Sequence, residues 1–67
     1  MMVTVNGKPM EIDAGTTVER LLQRLDVPLK YTAVAVNRDI TPKSAYASLT
    51  LGEGDRVEIV RPMGGGR

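Results

Sequence analysis

The residues best placed to take part in chemistry are the barest in the chain. Gly64, Gly65 and Gly66 stand together in the stretch "RPMGGGR", directly after the β-branched run Arg56–Val60. A glycine run is costly to order and packs nothing. It is therefore either inert slack or a working part. As a working part its asset is access: with no Cβ it can thread a narrow channel, and its carbonyl carbons stand open to a nucleophile. The more usual reactive groups are missing. Without cysteine the chain has no disulfide, no thiolate metal site and no thiol nucleophile of its own. Without histidine it lacks the commonest general base near neutral pH and the commonest metal ligand. Asp39, Glu53 and Asp55 are the acids to weigh as metal ligands. Their spacing among turn-forming residues makes no ligand set, so they read as turn acids.

The elements that hold such a tail must come from a short chain. Its 67 residues make one small domain, near the lower limit for a self-supporting core. An apolar content of 42% is ordinary for a globular protein and too high for disorder. Tyr31 and Tyr46 are the only aromatics, so an aliphatic core is expected. The net charge of +1 favours no charged partner. A clustered basic face with stacking aromatics, the mark of a nucleic-acid module, is absent. The opening "MMVTVNGKPM" has no signal-peptide pattern, and no apolar run approaches the roughly 20 residues needed to cross a bilayer. A soluble, cytoplasmic domain with no membrane partner is the expectation. A chain this short, without cysteine or histidine, is also poorly equipped to build an enzyme pocket.

Along the chain, "MMVTV" alternates, with Val3 and Val5 on one side and Met2 and Thr4 on the other. Asn6-Gly7 then predicts a type I′ turn, because both central positions need positive φ; no further role is read there. "PMEI" predicts a second strand with Met10 and Ile12 on one face, and Pro9, which lacks an N–H, suits an edge. The period then changes. Val18, Leu21, Leu22 and Leu25 fall on one helical face. Thr16 is the expected N-cap, with Glu19 completing a capping box. The helix should end at Val27-Pro28, since a residue before proline avoids the α region. "YTAVAVN" predicts a third strand, with Val34 and Val36 on one face and Ala33 and Ala35 on the other. The segment from Asn37 to Leu51 reads as irregular, with a helical turn near Lys43–Ala47 and a short strand at Thr50-Leu51. "LGEGD" is a turn. "RVEIV" is the last strand, with Val57 and Ile59 inward and Arg56 and Glu58 outward.

A hairpin, one helix and further strands form an α+β pattern: a mixed sheet of four to five strands with one main helix packed on one face. The first and last strands should pair in the middle of that sheet. The expected division is a folded domain over residues 1–63 and a glycine tail over residues 64–67.

This order of pieces resembles the ubiquitin-like β-grasp sulfur carriers, and among them the ThiS family. The matching stretches are "VNGKPMEI", "GTTVERLLQRLDV", "AVAVNRDITPK", "LGEGDRVEIVRPM" and the glycines, covering nearly the whole chain. The family pattern ends on Gly-Gly, whereas here a third glycine precedes Arg67. The resemblance implies a protein co-substrate rather than an enzyme. A partner adenylating enzyme would use ATP to activate the carboxyl of Gly66 once Arg67 is removed. A sulfur donor, such as a persulfide-bearing protein, would then leave a thiocarboxylate there for a thiazole synthase. No cofactor would be bound by the chain itself. Gly64 and Gly65 would give clearance. Pro62 and Met63 would dock partners, as would the outer face with Ala33 and Ala35, and Arg61 would meet an acidic partner surface. The alternatives are a molybdopterin sulfur carrier of MoaD type, a ubiquitin-like modifier joined to lysines, and an interaction module with no terminal chemistry.

Overall fold

The computed structural model describes residues 1–28, 30 and 32–60. Tyr31 lies outside these residues, and so do residues 61–67. Two layers form the fold: a five-stranded mixed sheet and one helix across one of its faces. The strands are β1 (Met2–Val5), β2 (Lys8–Glu11), β3 (Ala33–Val36), β4 (Asp39–Thr41) and β5 (Arg56–Val60). The helix, α1, spans Val18–Arg24. Across the sheet the order is β2-β1-β5-β3-β4. β1 pairs parallel with β5 and the other ladders are antiparallel. The last strand is thus the central one, flanked by the first and third.

Alternation along each strand sends every second residue toward α1. Val3, Val34 and Val57 are buried on that side and meet Val18, Leu21 and Leu22 of the helix, with Ile12, Leu51 and Tyr46 closing the core. The core is therefore not wholly aliphatic. Tyr46 is 3% exposed, and its hydroxyl donates to the Thr32 carbonyl at 3.3 Å, which gives the buried phenol a polar partner.

Both ends of α1 differ from the expectation. Its N-cap is Thr17, whose Oγ1 accepts the Arg20 N–H at 3.2 Å. Thr16 is engaged in the preceding turn, where its hydroxyl donates to the Asp13 carbonyl at 2.6 Å. That one-residue shift takes Glu19 out of register for a capping box. The first two helical N–H groups reach across the fold instead: Val18 donates to the Leu49 carbonyl and Glu19 to the Tyr46 carbonyl, both at 3.0 Å. Leu21 completes the set by donating to Thr17, so the first turn leaves no orphan donor. At the other end α1 stops at Arg24, before Val27-Pro28 is reached. Asp26 takes φ +58, its N–H donates to the Gln23 carbonyl, and the Val27 N–H donates to the Leu22 carbonyl. This is a Schellman closure with aspartate in the place usually held by glycine.

β4 was not expected. Asn37 and Arg38 have φ of 52 and 73, a tight turn with both central residues left-handed, and it folds Asp39–Thr41 back against β3. The helical turn near Lys43 is a 3-10 turn over Lys43–Ala45. The strand expected at Thr50-Leu51 reduces to one bridge, Thr17 to Thr50. Thr32 donates its hydroxyl to the Pro28 carbonyl and Lys43 its ammonium to the Lys30 carbonyl, tying down the α1–β3 connection.

Candidate functional site

The sheet face turned away from α1 is built by the same alternation that fills the core. Because Val34 and Val36 point to the helix, Ala33 and Ala35 point outward. The antiparallel register sets Ala33 opposite Val60 and Ala35 opposite both Glu58 and Ile40. Ile40 is 74% exposed and Val60 63% exposed. Ile40, Ala35, Ala33 and Val60 therefore run as one apolar strip across β4, β3 and β5. Isolated exposed aliphatics are normal on any protein, whereas contiguous exposed apolar surface is characteristic of interaction sites. The two alanines keep its middle low, so a partner surface can approach the sheet closely between the larger side chains. On the β1 side the same face carries Thr4 opposite Arg56, together with the exposed Met2.

The strip ends where β5 ends. Val60 is the last residue of the central strand and also the last apolar side chain of the strip. The described chain thus ends in the middle of the sheet, at the rim of the exposed apolar face. β5 is held on both sides: the Asn6 side-chain oxygen accepts the Ile59 N–H at 2.8 Å, and the Asn37 side-chain oxygen accepts the Arg56 N–H at 3.0 Å. Each asparagine opens a tight turn with positive φ, and each also clamps β5, one near its end and one at its start. Asn6 thus does more than the turn expected of it. A strand fixed this way gives a tail a rigid point of departure.

The expected site residues divide cleanly. Ala33 and Ala35 lie on the outer face as anticipated. Arg61, Pro62, Met63, Gly64, Gly65, Gly66 and Arg67 lie outside the described residues. Ile40 was missed because β4 was missed. The signal for it was present: "VN" occurs at Val5-Asn6 and again at Val36-Asn37, and both pairs open tight hairpins.

Two of the three acids, Glu53 and Asp55, have structural duties. Glu53 Oε1 accepts the Met2 N–H at 3.0 Å, while Asp55 accepts from the Gly52 N–H at 2.7 Å and from the Asn37 amide at 3.1 Å. Among the described residues no three such groups gather as a metal set, and no helix is long and apolar enough to cross a membrane.

Comparison with known proteins agrees with this geometry. The model of the ThiS family matches residues 3–66. The sulfur carrier protein ThiS of Escherichia coli is 32% identical over 66 residues, covering 98% of this chain and 100% of that protein. A thiazole synthase of Paramagnetospirillum magneticum is 42% identical over 66 residues, which is 98% of this chain and 20% of that protein. The chain thus spans about a fifth of that relative's length. The crystal structure of the thiamine biosynthesis protein ThiS from Geobacter metallireducens superposes with a TM-score of 0.83 at 38% identity, covering 98% of this chain and all of that one.

Proposed function

The chain belongs to the ThiS family, and from that membership we propose that it carries sulfur in assembly of the thiamine thiazole, as a protein co-substrate without catalysis of its own. The reactive atom is the carboxyl carbon of Gly66, exposed by hydrolysis of the Gly66–Arg67 peptide bond. An adenylating partner joins that carboxylate to the α-phosphorus of ATP and releases pyrophosphate. The terminal sulfur of a persulfide on a donor protein then attacks the acyl carbon and expels AMP, leaving an acyl disulfide; a second thiol attacks the donor-side sulfur, breaks the S–S bond and is itself oxidised to a disulfide with the donor. The product is a thiocarboxylate, whose sulfur is the nucleophile delivered to a thiazole synthase.

The observation that supports this reading best is the position of β5. A central strand, clamped by Asn6 and Asn37, ends at Val60 beside an exposed apolar strip, and in the sequence only Arg61, Pro62 and Met63 separate it from the glycines. The strip docks each partner in turn, and Gly64 and Gly65 let the end enter a site too narrow for side chains. Extended, residues 62–66 reach roughly 13–18 Å at about 3.3–3.6 Å per residue. The thiazole synthase that contains a stretch like this chain supports that enzyme class as the receiving partner.

The test compares two forms, the full chain and one ending at Gly66, each incubated with ATP, a ThiF-type adenylating enzyme and sulfide. Intact mass should show an adenylate and then exchange of one oxygen for one sulfur, in the Gly66 form alone. If that form stays unmodified, or the Arg67 form takes up sulfur while keeping its arginine, the proposal fails.

A further inference from the structure

The first tight turn holds reactive groups that sulfur carriage neither uses nor requires. Asn6 and Gly7 are exposed at its tip. The peptide group that joins them stands free of the ladder: among the described residues, neither the Asn6 carbonyl nor the Gly7 N–H enters a hydrogen bond. No atom lies within 4 Å of where a Cβ on Gly7 would stand, so the space beside that nitrogen is open. The Asn6 side chain is fixed at one atom only. Its Oδ1 accepts the Ile59 N–H at 2.8 Å, while its Nδ2 has no partner among the described residues.

We propose that Asn6-Gly7 is a self-modification site, at which the Gly7 nitrogen attacks Asn6 Cγ and the side-chain amide is lost as ammonia. Hydroxide removes the Gly7 N–H proton. The nitrogen bonds to Cγ, and the carbonyl electron pair moves onto Oδ1. The Ile59 N–H already donates to that oxygen and stabilises the charge as it develops. Collapse breaks the bond from Cγ to Nδ2, which takes a proton from water and leaves as ammonia. A cyclic imide remains. Ring closure needs the Asn6–Gly7 peptide plane to rotate, and that plane has no hydrogen bond to break. Water then opens the imide. Attack at Cγ releases the Gly7 nitrogen from it and gives aspartate. Attack at the backbone carbonyl gives isoaspartate, whose main chain runs through Cγ. Aspartate keeps an oxygen for the Ile59 N–H. Isoaspartate lengthens the turn by a main-chain carbon, which disturbs the pairing of Val5 with Lys8 and withdraws the clamp on β5.

Asn37 is the internal control. It opens the equivalent left-handed turn, and its Oδ1 accepts the Arg56 N–H at 3.0 Å. Its Nδ2, however, donates to Asp55 at 3.1 Å, so the leaving group is held. Arg38 follows it and carries a side chain where Gly7 has none.

The test is incubation of the full chain at neutral and at mildly alkaline pH, followed by peptide mass mapping. Enzymatic methylation distinguishes isoaspartate from aspartate, and a synthetic peptide of residues 2–11 gives the rate without the fold. Exchange of amide NH for oxygen is expected at residue 6 of the folded protein, faster at the higher pH. Its rate should lie within about tenfold of the peptide's and exceed that at Asn37 by about tenfold or more. Folded protein that converts more than about tenfold slower than the peptide overturns the proposal, as does Asn37 keeping pace with Asn6. ATP and partner proteins are absent, so the outcome is independent of whether the chain accepts sulfur.

Discussion

The side-chain oxygen of Asn6 accepts the backbone N–H of Ile59 at 2.8 Å, across 53 positions of sequence. One residue thereby sets the first hairpin, through a φ of 50, and secures the end of the central strand. The two duties separate by substitution. Asn6→Gly keeps the left-handed backbone and loses the hydrogen bond, so stability should fall by roughly 0.5–1.5 kcal/mol. Asn6→Ala keeps a Cβ in the left-handed region without the short polar side chain that makes it tolerable there, and should lose roughly 1–2 kcal/mol more than the glycine variant. Urea unfolding of both variants measures the gap, and equal losses would show that the turn carries no strain.

The cap assignment makes an equally direct prediction. Thr17→Ala removes the acceptor of the Arg20 N–H and should destabilise the protein by about 1 kcal/mol. Thr16→Ala loses only an exposed bond to the Asp13 carbonyl and should cost clearly less. Thermal melts of the pair would reverse that order if Thr16 were the cap.

Much of this architecture was legible because the local signals were unambiguous. Asn6-Gly7 names its turn, the leucines of α1 name its buried face, and the valines of β1, β3 and β5 name theirs. The failures have physical causes. Asn37-Arg38 makes the same turn as Asn6-Gly7 without the glycine that advertises it, so β4 and Ile40 stayed hidden. Thr16 and Thr17 are interchangeable as letters; only the turn at Asp13 and the carbonyls of Tyr46 and Leu49, distant in sequence, decide between them. Asp26 ends α1 in a conformation that aspartate adopts less readily than glycine, and proline two residues on was the louder signal. Of the candidate site, Ala33 and Ala35 lie on the outer face, while residues 61–67 fall outside the described residues.

Asp26 is therefore a place where the protein can be improved. It holds a positive φ and puts a negative charge at the carboxyl end of a helix, where the dipole disfavours it. Asp26→Gly should raise stability by about 0.5–1 kcal/mol. In a domain of this size that corresponds to a rise in Tm of roughly 2–8 °C. A fall in Tm on calorimetry would mean the aspartate makes a stabilising contact of its own.

The apolar strip predicts a split between folding and recognition. Ile40→Asp changes a side chain that is 74% exposed, so unfolding free energy should stay within about 0.5 kcal/mol of the parent. Affinity for the adenylating partner should drop by about tenfold or more, equivalent to about 1.4 kcal/mol, read by titration calorimetry. Unchanged affinity would remove the strip from the docking surface.

The strand order has a consequence for biosynthesis. Ribosomes make β5 after every other strand, yet β5 belongs between β1 and β3. Until it emerges, the nascent chain holds two detached hairpins with a vacant lane between them, and an isolated hairpin is barely stable in water. Closure of the sheet therefore waits for its last strand, and until then both hairpins expose bare edges to other chains.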